Sequence, residues 1–593
     1  MSRQLLKRIR LKIRQRMSIY QLLLKRKSEA PTLTALRGLS TSGVSKDTPF
    51  EIVIFGKKID YHTIDWHCDY NSGYCYPHWK RFDKIKINKI YNQGIDVIFP
   101  WELSRFQFGI DLALCYHQSN DMKYYNLFKQ LVTDWITKNP FLIGVNWICT
   151  MDVAIRAANW IIAVNMFNDI FWKDTEFVVK LSKTLLKHAQ YIIKFPTKNG
   201  EKGNNHYVAG FSGQLLLALS FKHLYQSKRW LKKALDGLTY CIENQIYEDG
   251  THFEDSIAYH RLVLELFATS VIIGRNNKIE FSNIFYSKLF RMFEFVSAYM
   301  DHQGNFPQIG DNDSGRFIKL THSQEQNHLY LLELGQQIFT YDFGREEGRS
   351  YLLPVFMNYT KRVSLMELGI QPRACKKTVS FADGGFYFLK NQCFHVTVFC
   401  PKSIEGGHRH FDVGSFTLSY QGIPVVVDPG TGVYTSNLAI RKRLRDYPSH
   451  NFFYLNKTNE KNDAYFGIQV DMDVQVVFFS DSSMKIRALL EGDITVERQF
   501  NLYDSSFVIQ DSITGSRQEL LSALHFADFE LSDIEDNRFI LNDLTVTISG
   551  AKSIKKEKYL YSPSYSILEE KEKIVFHPGQ SITIQFCETY SYK

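Results

Sequence analysis

Four residues of this 593-residue chain could serve as metal ligands: His408 and His410, Asp428 at the end of the apolar run IPVVVDPG, and His450 directly before FFYL. Imidazole nitrogens and a carboxylate oxygen suit a zinc-like ion. The β-branched and aromatic residues Val413, Phe416, Thr417 and Tyr420 read as a strand. In a strand, side chains two apart share a face, so both imidazoles of the HRH triplet would project toward one cavity. The alternative is four unrelated polar residues at loop edges, because the spacing is no compact motif of the paired CxxC kind.

Two further clusters precede apolar helical runs. In GNNHY (203–207), Asn205 and His206 fall at a helix start, where the positive end of the helix favours anions; the competing reading is that Asn205 only caps. In EDGTHFEDSIAYHRLVLELF, Glu254, Tyr259 and His260 open the next helix. With Arg261 beside it, Tyr259 reads as a proton-transfer residue, since a nearby cation lowers a phenol's pKa; the alternative is an amphipathic tyrosine at a core edge.

These residues need elements to hold them. From Trp101 to about Met300, apolar residues recur at helical spacing, as in MDVAIRAANWIIAVNMF and RLVLELFATSVIIG, which predicts consecutive helical hairpins arranged as an array or toroid. From about Val379, short alternating runs such as HVTVFC, SFTLSY and DVQVVFF are separated by Gly, Asn, Asp and Ser, the pattern of an antiparallel sandwich. The expected class is α+β multidomain. It comprises a basic N-terminal segment and linker over 1–48, a helical toroid over 49–350, a linker over 351–378 and an antiparallel β-sandwich over 379–593.

The net charge of +9 favours a polyanionic partner. No zinc-finger, RNP-like or basic-helix signature supports nucleic acid, so an acidic polysaccharide is the expected partner. Nine scattered cysteines imply no disulfide framework. The first thirty residues are basic and lack an uninterrupted apolar core and a cleavage site, so they read as an amphipathic or solvated helix able to touch an anionic membrane surface. No later run reads as membrane-spanning, and the expected location is cytoplasmic, with the periplasm or cell surface as alternatives. The basic stretch IRKRLR (440–445) reads as a loop for sulfate or carboxylate groups, or as a solvated one.

Taken in order, DWH (65–67), WELSR (101–105), GVNWICTMDVAIRAANW (144–160), NNHY, DGTHFEDSIAYHRLVLE, GDNDSGR, GGHRHFDVGSFTLSYQGIPVVVDPGTGVY and PSHN resemble the heparinase II/III family of polysaccharide lyases. The resemblance runs from roughly residue 60 to 455. It implies an α/α-toroid on a β-sandwich and β-elimination at a 4-linked uronic acid. Asn205 and His206 would neutralise the carboxylate, and Tyr259 and His408 would transfer protons, facing each other across a cleft. His410, Asp428 and His450 would hold a structural divalent ion, zinc on that resemblance. Arg156, Asn146, Trp147, Glu254 and Tyr434 would contact substrate. Where some relatives carry a carboxylate one turn after the NNHY histidine, this chain has Ala209 and Gly210. Two alternatives to a lyase follow from the same residues: a non-catalytic or biosynthetic polysaccharide-binding protein of a surface-polysaccharide assembly pathway, and a membrane-peripheral assembly factor.

Overall fold

The computed structural model describes residues 32–37, 50–321, 325–344, 362–375, 377–402, 405–456, 468–469, 472–515, 519–527, 534, 537–541 and 543–589. The basic N-terminal thirty residues and the linker at 38–48 lie outside the described residues.

The helical half is a double layer, and sequence pattern decides the layer. Thr150–Phe167, Asn205–Ser220 and Ile257–Asn276 are apolar nearly all round and buried along nearly their whole length. Met122–Lys138, Thr175–Lys194 and Tyr225–Gln245 carry one apolar stripe and bury only that face. A helix apolar on all sides must be surrounded, so the first set forms the inner layer and the second the outer. By length and composition Ile257–Asn276 could cross a membrane, contrary to the expectation that no segment would; here its 18-residue apolar stretch is buried inside the protein. Side-chain caps define several helix starts: Asp121, Asp174, Ser256 and Ser282 each accept a backbone N–H from the first turn.

Apart from a short hairpin of Ile52–Ile54 with Lys57–Ile59, the strands begin at Val379. One antiparallel sheet comprises Val379–Phe381, Phe386–Lys390, Phe394–Phe399, Phe416–Tyr420 and Ile423–Val426, paired in that order. A second, larger antiparallel sheet contains Asp473–Phe479, Ser483–Leu490, Ile494–Leu502 and Ser506–Thr514, followed by Glu569–Glu588, Leu520–His525 and Phe453–Leu455. Period-two burial runs along its first strands, and the inward side chains of both sheets share one core. The opposite face of the smaller sheet packs on the toroid, where Phe381, Phe386 and Phe388 surround Phe295.

Two long strands, Leu544–Tyr561 and Glu569–Glu588, form a hairpin whose connecting loop returns to the toroid. There Tyr565 Oη donates to Asp96 Oδ2 at 2.6 Å and accepts from the backbone N–H of Tyr434 at 3.0 Å. The aromatic-rich segment at 65–79 is tied down by a disulfide between Cys68 and Cys75, a local link and not a framework; the other seven cysteines are free thiols.

Candidate active site

Two helix N-termini and one loop converge at the junction of the halves. Asn205 is the first residue of its helix, and the cap position belongs to Asn204. Asn205 does not cap: its Nδ2 donates to Glu254 Oε2 at 2.9 Å, and its Oδ1 is buried without a partner. His206 follows, its Nδ1 3.5 Å from Cys149 Sγ. Burial pushes its pKa down to about 4, so near neutral pH it is an uncharged hydrogen-bonding group.

Ser256 caps the next helix by accepting from the backbone N–H of Tyr259 at 3.2 Å. This aims the Tyr259 phenol at Asp313 Oδ2, to which it donates at 2.9 Å, with Tyr434 Oη 3.0 Å away. Arg261 does not lower the phenol's pKa, as expected from sequence, because its guanidinium turns to the carbonyl of Gly315. Burial, reinforced by the charges of Asp313 and Asp311, instead raises it well above the ordinary value. His260 turns the other way, to the carbonyl of Met292.

His408 and His410 do not lie on a strand; the strand starts at Phe416. Nor do their rings share one cavity, since they approach opposite oxygens of Asp311. His408 Nδ1 is 3.0 Å from Oδ2 and His410 Nε2 is 3.0 Å from Oδ1. Arg441 bonds both oxygens of the same carboxylate, through Nη1 and, at 2.8 Å, through Nη2. Burial works against the ionised Asp311, but Arg441 and the two imidazoles outweigh it and hold the carboxyl well below its usual range. Burial also opposes a charged His408, yet the bond to Asp311 and the nearby Glu254 raise its pKa. The imidazole of His408 stacks on the Tyr259 ring with centroids 3.6 Å apart and planes 15° apart. The two groups therefore touch, side by side, and no sugar ring fits between them.

On the far side of Asp311, ligand atoms of His410, Asp428 and His450 lie within 4.8 Å of one another, all buried. Asp428, at the end of its apolar run, is buried. His450 Nδ1 is 2.7 Å from Asp428 Oδ2, while its Nε2 donates to the carbonyl of Arg445. His410 uses Nε2 on Asp311, and its buried Nδ1 has no partner. Each histidine thus has its outer nitrogen fixed and its inner one directed at the cluster, the arrangement that metal-ligating histidines use. Burial pushes His410 down to about 4, so the ring is neutral, as a ligand must be. Beside the cluster, both carboxylate oxygens of buried Asp412 lack partners.

Not every residue proposed from sequence reaches this place. Glu254 and Tyr434 do, but Arg156, Asn146 and Trp147 are fully buried inside the toroid. Arg156 lies over the Trp135 ring at 4.1 Å and donates from Nε to His188 at 3.1 Å. Asn146 Nδ2 bonds the carbonyl of Trp66 at 2.8 Å, which makes these residues supports and not substrate contacts. The stretch IRKRLR is no loop: Leu438–Arg445 is a helix with Arg441 and Arg445 buried. Sequence reasoning missed Asp311, Asp313 and Arg441, together with Arg105, which bridges Asp152 at 2.7 Å and Glu102 next to the site. GDNDSGR was the available signal for the two aspartates.

The Heparinase II/III N-terminus family model matches residues 44–330, and the Heparinase II/III-like C-terminal model matches 374–587. A heparin-sulfate lyase of Pedobacter heparinus is 23% identical over 358 residues, which are 58% of this chain and 50% of that protein. This chain therefore spans about half the length of that relative. Another heparin-sulfate lyase, from Bacteroides stercoris, is 22% identical over 503 residues, 78% of this chain and 68% of that protein. Among solved structures, heparinase III superposes with a TM-score of 0.64 at 15% identity, covering 86% of this chain and 80% of that one. The heparan sulfate lyase of Pedobacter heparinus gives 0.55 at 18% identity, covering 85% and 80%. With both halves matched by models of one family and the two-domain fold shared, the chain belongs to the heparinase II/III family.

Proposed function

We propose that this protein is a polysaccharide lyase that cleaves an acidic polysaccharide at a 4-linked uronic acid by β-elimination. The observation that carries the reading is the contact pair of Tyr259 and His408 beside the donors at Asn205 and His206. A C5–H next to a carboxylate is a very weak acid, so the carboxylate must be met by hydrogen bonds that strengthen as charge moves onto it. Neutral His206 and the Asn205 amide supply donors, and Glu254, whose pKa burial raises, adds an O–H when protonated.

Asp311 accepts from the Nδ1–H of His408, so that once the ring is deprotonated, at a pH above its raised pKa, the Nε2 lone pair is the base. Tyr259 holds its proton and is the acid. His408 takes the C5 proton, the C4=C5 bond forms, the C4–O4 bond breaks, and O4 takes the phenol proton. The imidazolium, in contact with Tyr259, then returns a proton to the phenolate. The C5 proton is thus replaced by one delivered to O4, and both groups are reset.

Because acid and base stand on one side, the elimination is syn. In D-glucuronate and D-mannuronate the C5–H and C4–O4 bonds have the syn relation; in their C5 epimers, L-iduronate and L-guluronate, they are anti. Chondroitin is therefore expected to give the ultraviolet band of unsaturated uronate in preference to dermatan, and polymannuronate in preference to polyguluronate. Heparosan and hyaluronan, which carry glucuronate, complete the panel. Absence of the band on every polymer would remove the lyase reading and favour a binding or biosynthetic role.

The His410–Asp428–His450 cluster is proposed to hold a divalent ion, zinc by its nitrogen and oxygen donors, with Asp412 available to offset its charge. When bound, the ion supplies structural cross-linking between the His408 loop and the strand end at Asp428. Exhaustive chelation is expected to lower the melting temperature, and added zinc to restore it, with about one zinc per chain by elemental analysis.

A further inference from the structure

Asp311 belongs to both centres at once. Its two oxygens hold His408 and His410, each at 3.0 Å, and both are held by the Arg441 fork. The main chain adds to this, since the N–H of Asp311 donates to the carbonyl of His408 at 2.7 Å. The carbonyl of Asp311 accepts from Ser256 Oγ at 2.6 Å, and Ser256 is the cap that orients Tyr259. Ser256, Tyr259, Asp311, His410 and Arg441 are buried, and His408 is partly exposed, its side chain 11% accessible. A carboxylate gripped on both oxygens by a planar guanidinium has one favoured plane. Two imidazoles bonded to that plane cannot reorient independently.

We propose that Asp311 is a positioning residue that couples the His410–Asp428–His450 ion site to His408. An ion on Nδ1 of His410 would set that ring's Nε2–H on Oδ1, and thereby the carboxylate plane on which the Nδ1–H of His408 rests. Such coupling is reciprocal, so His408 must in turn set ion affinity. The ion site of the preceding section is assumed here, but lyase activity is not, and the test reads affinity alone.

Zinc affinity is measured by competition with a chromophoric chelator for the full chain and for His408→Ala, Asp311→Asn and the double variant. With Asp311 in place, His408→Ala is expected to weaken zinc binding by about fivefold or more. In the Asp311→Asn background, where the link is gone, the same substitution is expected to change it by less than about twofold, a non-additivity that marks coupling through Asp311. If Asp311→Asn does not fold, Asp311→Glu, which keeps the charge against Arg441 but displaces both oxygens, takes its place in the cycle. An unchanged affinity in His408→Ala overturns the proposal. So does a shift of equal size in both backgrounds, or a wild-type chain that binds no zinc. A merely structural Asp311 would weaken zinc in its own variant and leave the effect of His408→Ala intact.

Discussion

Tyr259→Phe is expected to lower kcat on the best polymer of the panel by about 10²–10⁴-fold, the usual contribution of a positioned acid or base. The phenyl ring fills the same space against His408, so the stack at 3.6 Å survives and the scaffold is spared. What disappears is one oxygen, and with it the donor to Asp313 Oδ2 and the partner of Tyr434 Oη. Asp313 keeps the backbone N–H of Gly315 on its other oxygen, at 2.9 Å. Leaving the two acceptors short of a partner costs about 1–3 kcal/mol of stability, which a folded domain survives. The kinetic signature separates roles. Loss of an acid that acts only in the transition state lowers kcat and kcat/KM together and leaves KM nearly unchanged. A rise in KM with kcat preserved would make Tyr259 a binding group, and the proton-transfer assignment would fall.

The fold was legible because it is written in periodicities. Helical spacing up to about Met300 and alternation from Val379 each report a local rule, which side of an element is covered, and the structure follows both. The clustering of the candidate site was legible where residue type alone restricts the chemistry, since His410, Asp428 and His450 do come together, with His408 across Asp311 from them. It was not legible where function depends on pairing across the chain. Asp311 meets His408 and Arg441 over separations of 97 and 130 residues, and no local pattern marks such a meeting. Arg156 misled for the same reason: charge suggests a ligand for an acidic sugar, but two tryptophans and His188 enclose it. Placing His408 and His410 in one strand assigned them a common face. In the actual loop they straddle the Asp311 carboxylate, which sets His408 against Tyr259 and His410 beside Asp428 and His450.

The run IRKRLR gives the sharpest contrast between charge read as composition and charge read as structure. Arg441→Met is expected to destabilise the protein by about 3–5 kcal/mol, the cost of stranding one member of a buried ion pair. Both partners are out of water, with side chains 1% and 0% exposed for Arg441 and Asp311. No solvent can replace the guanidinium, and two imidazoles remain to hold the carboxylate. Tyr434 would also lose the cation 4.7 Å from its ring centre, loosening the hydroxyl that faces Tyr259. Arg443 is exposed two residues along the same helix, and Arg443→Met is expected to shift stability by no more than about 0.5 kcal/mol. Denaturant unfolding of the two variants side by side measures the difference. If both lose little, the Asp311 centre tolerates an unpaired charge, and the picture of one carboxylate locked between two functional sites is wrong. If only Arg441→Met collapses, the basic run is mainly an internal brace, and Arg443 is left as an exposed cation to meet an acidic polymer.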